Sequence, residues 1–371
     1  MNSKFLKENE IYFNENDELC LNCGRLYSHV EVDEYVNVRW CKKCSVKYAQ
    51  DNICSWSGNK RIDDFIKSQQ QKARNNSFSR YDEAVALKFL HDSEDINDDF
   101  LNEVGNYPFE FNDKGIVRCY GISQYPQTKE YVMVLELMMV NLCDWLNSDY
   151  NKHNWVDNLF LLNQLIKGLN NIHMKGLIHR DFHPGNLLMR EISSKFAYIS
   201  DLGLSGPVDN ERKSNGEIFG VLPYLPPEVL LGMPYTQAAD IYGLGMIMYL
   251  IATGNQPFND VAHDYLLSID ICKGIRPKIK REEIPLLYYE IMESCWDQDP
   301  SKRKSSKELY QLSSNWFLHK KLEIKDEIKS QLKVYDGYLS KNYADKQKQQ
   351  LCHSQAIYTS RLLCSLTQPL R

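Results

Sequence analysis

The chain has 371 residues, 44 Lys and Arg against 49 Asp and Glu for a net charge of −5, and 43% hydrophobic content. That length suggests two or three domains with a sizeable core, and the acidic balance disfavours a nucleic-acid partner. No apolar run is long enough to span a membrane, and the opening MNSKFLKENE has no run of signal-peptide length, so a cytoplasmic location is expected.

Eleven cysteines in such a chain point to metal or free thiols rather than disulfides. Residues 1–19 are polar. Cys20 and Cys23 then form one C-x-x-C pair, and Cys41 and Cys44 a second after seventeen intervening residues. Two such knuckles can offer four thiolates to one Zn2+ in a structural tetrahedron. Val30, Val32, Val36 and Val38 suggest a hairpin bringing them together. Four unrelated buried thiols is the plainer alternative. Residues 57–80 are polar, with a Gln run, and read as a linker or docking helix.

Ala84–Lys88 reads AVALK, a short apolar run ending in a lysine. A helix is predicted next, with Ser93 as cap and Ile96, Phe100 and Val104 on a packed face that also carries Glu103. Ile116–Gly121 and Tyr131–Leu137 are strand-like. Asn158–Met174 is amphipathic through Leu162, Leu165, Ile166, Leu169 and Ile172. It leads into LIHRDFHPGNLL, which holds His179, Arg180 and Asp181, Asn186 five positions later, and Leu188. Asp201-Leu202-Gly203 follows, then Pro226-Pro227-Glu228. Asp240 opens DIYGLGMIMYLIATG, apolar on nearly all sides but too short to cross a bilayer, and therefore a buried central helix. Residues 317–371 are Lys-, Glu- and Gln-rich and read as an exposed helix followed by a tail.

The order and spacing of these stretches resemble a protein kinase over residues 81–316. The H-R-D-x-x-x-x-N pattern matches its catalytic loop, AVALK its third strand, and Asp201-Leu202-Gly203 its D-F-G with leucine for phenylalanine. The resemblance implies Asp181 as the base receiving a substrate hydroxyl proton, and Asn186 and Asp201 as Mg2+ ligands. It further implies Lys88 on the ATP phosphates, and Glu103 as the ion-pair partner of Lys88. Glu103 as a surface glutamate and Lys88 as a solvated strand lysine are the alternatives. Glu136 and Met138 would meet the adenine at the hinge after the Tyr131–Leu137 strand, with Leu135 behind the pocket and Leu188 among the nucleotide contacts. Glu228 would pair with Arg303 to tether the activation segment, and Asp240 would brace the catalytic loop from the helix start. Of Ser205, Ser214 and Tyr224, the segment's hydroxyl residues, Ser214 beside Arg212 and Lys213 would be the phosphosite and Tyr224 packed.

Within the family the match is to tyrosine-kinase-like kinases. The paired knuckles, HRDFHPGN and the closing AIYTSRLL (Ala356–Leu363) look like kinase families expanded in arbuscular mycorrhizal fungi. The implied fold is α+β and bilobal, with a truncated N-lobe sheet and a mainly helical C-lobe. The domain reading is a zinc-ribbon-like unit at 1–56, a linker at 57–80, a kinase-like domain at 81–316 and a C-terminal tail at 317–371.

The departures from the pattern are specific. No glycine lies between Gly58 and Gly105, where the phosphate-covering loop belongs, and the first two N-lobe strands are expected to be missing with it. His183 stands where many serine/threonine kinases have lysine, and Val221 where they have threonine. The function implied is ATP-dependent phosphotransfer to a protein hydroxyl. The alternative is a pseudokinase that signals by binding partners.

Overall fold

The computed structural model describes residues 85–90, 106–107, 115–124, 131–148, 154–202, 205–207, 218–317, 324–348 and 352–363. The chain divides into two compact units, Met1–Met138 and Met139–Arg371. The division falls at the expected hinge.

In the first unit, β1 (Val85–Leu90), β2 (Cys119–Gln124) and β3 (Tyr131–Glu136) form an antiparallel sheet in the order β1-β3-β2. Their Val, Tyr, Leu and Phe content suits a pleated, partly buried surface. Lys88 lies opposite Met133 in the β1–β3 ladder. The strand expected at Ile116–Gly121 begins three residues later, at Cys119. Ile116 and Val117 are buried ahead of it, and a register shift between Cys119 and Gly121 interrupts the ladder. The apolar pattern reported burial there; the irregularity between the paired stretches is a backbone feature it does not encode.

The second unit is mainly helical. Its helices are α1 (Leu142–Asn147), α2 (Trp155–His173), α3 (Pro227–Leu230), α4 (Gln237–Thr253), α5 (Tyr265–Cys272), α6 (Leu286–Cys295), α7 (Ser306–Ser314) and α8 (Asp326–Lys348). Asn154 caps α2 by accepting from the Asp157 N–H, and Ser305 with Glu308 forms a capping box on α7. α4 is buried around its whole circumference. Its 17 residues span about 26 Å, short of a bilayer core, and no helix among the described residues is long and apolar enough to cross a membrane. The helix begins at Gln237 rather than Asp240, because Thr236 at the cap position is the first extended residue before it.

Short strand pairs carry the loops: β4 (Val140–Asn141), β6 (Leu187–Met189) and β7 (Ala197–Ile199) in one sheet, β5 (Leu177–Ile178) against β8 (Gly206–Pro207), and β9 (Phe219–Gly220) against β10 (Arg361–Leu362).

The C-terminal region departs from the expected exposed helix and tail. α8 is exposed over most of its surface, as its composition implies, yet Leu332 and Leu339 are buried. The carboxylate of Asp336 and the carbonyl of Tyr335 accept from the backbone and indole N–H of Trp155. Two leucines seven apart share one helix face, and a Lys- and Gln-rich background conceals so narrow a stripe. Residues 352–363 then run back along the helical unit to β9.

Candidate active site

The loop between β5 and β6 is held from beneath by one carboxylate. Asp240, in the first turn of α4, accepts from the backbone N–H of His179 at 2.7 Å and of Arg180 at 2.9 Å. Its Oδ2 also lies 2.9 Å from His173 Nε2, and His173 Nδ1 meets the Ser306 hydroxyl at 3.0 Å. A buried carboxylate persists when N–H groups surround it. The expected brace is present.

The His179 ring is fully buried. Its Nδ1 accepts from the Asp181 N–H, so Nε2 carries the proton it donates to the Ser200 carbonyl at 2.9 Å. Arg180 (φ 70) and Asp201 (φ 56) adopt left-handed backbone. That conformation is costly for non-glycine residues and clusters at functional sites.

Asp181 is buried beside Asn186, whose side-chain N–H groups donate to the Asp181 carbonyl at 2.9 Å and to its Oδ2 at 3.3 Å. His183 Nδ1 accepts from the Gly185 N–H, which places the proton on Nε2, 3.5 Å from Asp181 Oδ2. The Asn186 carbonyl in turn accepts from the Ser200 N–H and hydroxyl. Asp181, Asn186 and the strand end before Asp201 are thereby one connected piece. Leu202, the leucine that stands for phenylalanine after Asp201, is fully buried.

A small cleft, with room for about one water molecule, lies beside Asp181 and His183, walled by Val221, Tyr224, Leu225 and Tyr235. Tyr224 is packed, its hydroxyl bonded to Gln256 Oε1 and its pKa raised well above the ordinary value, chiefly by burial. Burial, then the charge of Asp181, raises Tyr235 as well, and its hydroxyl donates to the Phe219 carbonyl at 3.2 Å. Glu228 and Arg303 form the expected buried pair, bidentate at 2.6 and 2.9 Å. Two further N–H groups of Arg303 donate to the Ala238 and Asp297 carbonyls.

Sequence reasoning missed two contributors. A Cβ on Gly243 would stand 2.6 Å from the Phe182 carbonyl, so this glycine lets the loop lie directly on α4. A glycine inside an apolar helix was the available signal. Tyr235 sits in a loop with no local signature.

Other expected site residues lie elsewhere or outside the description. Lys88, Glu136 and Met138 belong to the first unit, Lys88 and Glu136 on its sheet and Met138 at its end. Leu188 is on β6, opposite Asn141 and Tyr198. Glu103, Ser214, Cys20, Cys23, Cys41 and Cys44 lie outside the described residues. Among the described residues no group of three or more His, Cys, Asp or Glu side chains could hold a metal.

Comparison with known proteins agrees with this geometry. A probable serine/threonine-protein kinase of Dictyostelium discoideum is 33% identical over 161 residues, covering 40% of this chain and 9% of the relative. A second from the same organism is 29% identical over 232 residues, covering 62% and 25%. Serine/threonine-protein kinase STY17 of Arabidopsis thaliana is 31% identical over 146 residues, covering 39% and 25%. The chain thus spans a quarter or less of the length of these relatives. The protein kinase domain family matches residues 72–317, about two thirds of the sequence. The chain belongs to the protein kinase family.

Proposed function

We propose that the chain transfers the γ-phosphate of ATP to a hydroxyl of a protein substrate. The observation that carries this reading is the Asp181–Asn186 unit. A carboxylate faces the cleft, the asparagine amide nitrogen is committed to it, and Asp240 fixes the backbone beneath both. Phosphoryl transfer asks the protein mainly for positioning and charge stabilisation. Asp181 would accept the proton as the substrate oxygen bonds to the γ-phosphorus and the bond to the ADP oxygen breaks. With its nitrogen turned to Asp181, Asn186 presents its side-chain oxygen as a hard donor, and Asp201 supplies carboxylate oxygens. This donor set fits Mg2+, which favours one or two protein oxygens plus phosphates. Bound there, the ion would neutralise phosphate charge. Lys88 would hold the phosphates with Glu103 as its partner, and Glu136, Met138 and Leu188 would contact the adenine end.

One observation favours a second reading, a kinase-shaped binding module. The sequence has no glycine between Gly58 and Gly105 to build a phosphate-covering loop. Losing two or three backbone N–H bonds to phosphate, at roughly 1.5–3 kcal/mol each, would push ATP affinity to about millimolar or weaker. Calorimetric titration with Mg-ATP, followed by a phosphotransfer assay, separates the two. The enzyme reading expects weak magnesium-dependent binding, with Asp181→Asn abolishing transfer while binding persists. No binding at about 5 mM ATP, above the usual range of KM values, rejects it for the module.

The finer assignments belong to the same proposal. They are membership of the tyrosine-kinase-like group with likeness to the fungal expansions, the 1–56, 57–80, 81–316 and 317–371 division, and a structural Zn2+ on Cys20, Cys23, Cys41 and Cys44. Two C-x-x-C pairs seventeen residues apart support the zinc reading. A protein substrate or signalling partner in the cytoplasm belongs to this reading, and the absence of a nucleic-acid partner fits the net charge of −5.

A further inference from the structure

The closing AIYTSRLL does not dangle. His353 N–H donates to the Asn259 carbonyl, His263 N–H to the Gln355 carbonyl, and Tyr358 hydroxyl to the Pro257 carbonyl at 2.9 Å. The His263 ring is clasped by this segment. Its Nδ1 lies 2.9 Å from the Ile357 carbonyl and 3.0 Å from the Ile357 N–H, its Nε2 lies 3.1 Å from the Phe258 carbonyl, and Tyr358 meets it edge-on at 4.7 Å. Arg361 donates to the His263 carbonyl at 2.8 Å. The chain then pairs with β9, Arg361 opposite Gly220 and Leu362 opposite Phe219, before the Leu363 N–H donates to the Ile218 carbonyl and its side chain is fully buried.

β9 has β10 as its only ladder partner among the described residues. Gly220 sits at φ 147, where other residues are strained, and a Cβ there would lie 3.1 Å from Leu225. Glycine has the most conformational freedom to lose on ordering. The residue after it, Val221, starts the wall of the cleft beside Asp181, continued by Tyr224 and Leu225. A second tie runs from the same loop, since Gln256, next to Pro257, holds the Tyr224 hydroxyl. Residues 352–363 contribute nothing to the lining of that cleft. The segment passes outside it, so it fixes the wall and does not fill the space.

We propose that residues 352–363 are a positioning brace for the substrate-binding wall, with the β10–β9 pairing and the His263 clasp setting Gly220 and the 221–225 wall for an incoming peptide. The brace acts through the wall and touches no reacting atom. This inference rests on the kinase reading for its catalytic consequence, while its structural half stands without it.

The test uses the full chain carrying Leu363→Pro, which deletes the N–H given to Ile218, and separately Arg361→Ala, a milder break. Thr359→Ala, at an exposed position, is the control. Hydrogen exchange over residues 218–225 and steady-state kinetics with a generic protein substrate are measured on each. A misplaced wall costs of the order of a tenfold to hundredfold loss in activity. The expected result is faster exchange in both broken variants, with KM for the protein substrate raised about tenfold or more while KM for ATP is unchanged. Raised activity in the broken variants would overturn the brace in favour of an inhibitory tail, and unchanged KM would overturn it outright. If the wild type transfers no phosphate, the kinase reading fails while exchange still decides. Amides 218–220 protected in the wild type and released in Leu363→Pro sustain the brace, and amides unprotected in the wild type remove it.

Discussion

Asp240 shows how one side chain sets a loop that it does not belong to. Its two oxygens satisfy two consecutive backbone N–H groups, one of them on a residue with left-handed backbone. Asp240→Ala leaves both donors buried without an acceptor, at about 1–3 kcal/mol each. The expected outcome is a lowered melting temperature and loss of any phosphotransfer, checked by calorimetry and assay. Unchanged stability would mean that the loop holds its shape without the brace. His263 gives a pH dependence. Burial is the largest influence and lowers its pKa; Arg361 and His353 lower it further, while its bonds to Ile357 and Phe258 pull upward. The net direction is down from 6.5, so the docked ring stays neutral where an unfolded one is protonated. Its contribution is complete above about pH 6.5 and lost as pH falls through the lower, folded value. Protection of amides 353–363, taken relative to the intrinsic exchange rate at each pH, is therefore expected to fall on acidification from pH 7.5 to 5, and His263→Gln should remove that dependence.

At the scale of elements, α4 is the platform on which the others are mounted. It is apolar all round because α2, α6 and the loop carrying Asp181 all pack against it, and Gly243 permits the closest of those approaches. Gly243→Ala must displace the Phe182 carbonyl, a backbone atom next to Asp181. The expected cost is about 1–3 kcal/mol, with a larger fractional loss of phosphotransfer than of folded protein, read by comparing activity per folded molecule with the melting curve. α3 is tethered to the turn before α7 by Glu228 and Arg303, both buried. Removing Arg303 strands the carboxylate, so Arg303→Ala is expected to cost roughly 3–5 kcal/mol in a denaturant titration. A change within error would mean that the pair is solvated.

Across the whole molecule, the C-terminal region is an integral part of the helical unit and not an appendage. α8 buries Leu332 and Leu339 and ties Trp155 at the head of α2, and 352–363 closes onto β9. Leu339→Ala should destabilise the unit by about 2–5 kcal/mol, whereas Val334→Ala, at an exposed position on the same helix, should change little. Equal effects would show that the helix does not pack as described. At the other end of the chain, metal analysis of the purified full-length protein is expected to find one zinc per chain, lost when Cys20 and Cys23 are both changed to serine. Absence of stoichiometric zinc removes that assignment.

The sequence by itself determined what depends on residue identity at short range. The spacing of Asp181, Asn186 and Asp201, the all-round apolar character of α4, and the pairing partners Glu228 and Arg303 were legible because chemistry restricts which side chains can stand at those positions. Strand Tyr131–Glu136 was legible for a related reason, since a continuous run of apolar, largely β-prone residues advertises burial directly. Register and docking were decided only in three dimensions. The late start of β2, the close approach at Gly243, the buried stripe of α8 and the docking of AIYTSRLL on His263 and β9 depend on partners up to 181 residues away. Backbone hydrogen bonds form most of that docking, and every residue but proline carries the same donor and acceptor. A sequence therefore cannot say which distant N–H meets which carbonyl until the fold has brought them together.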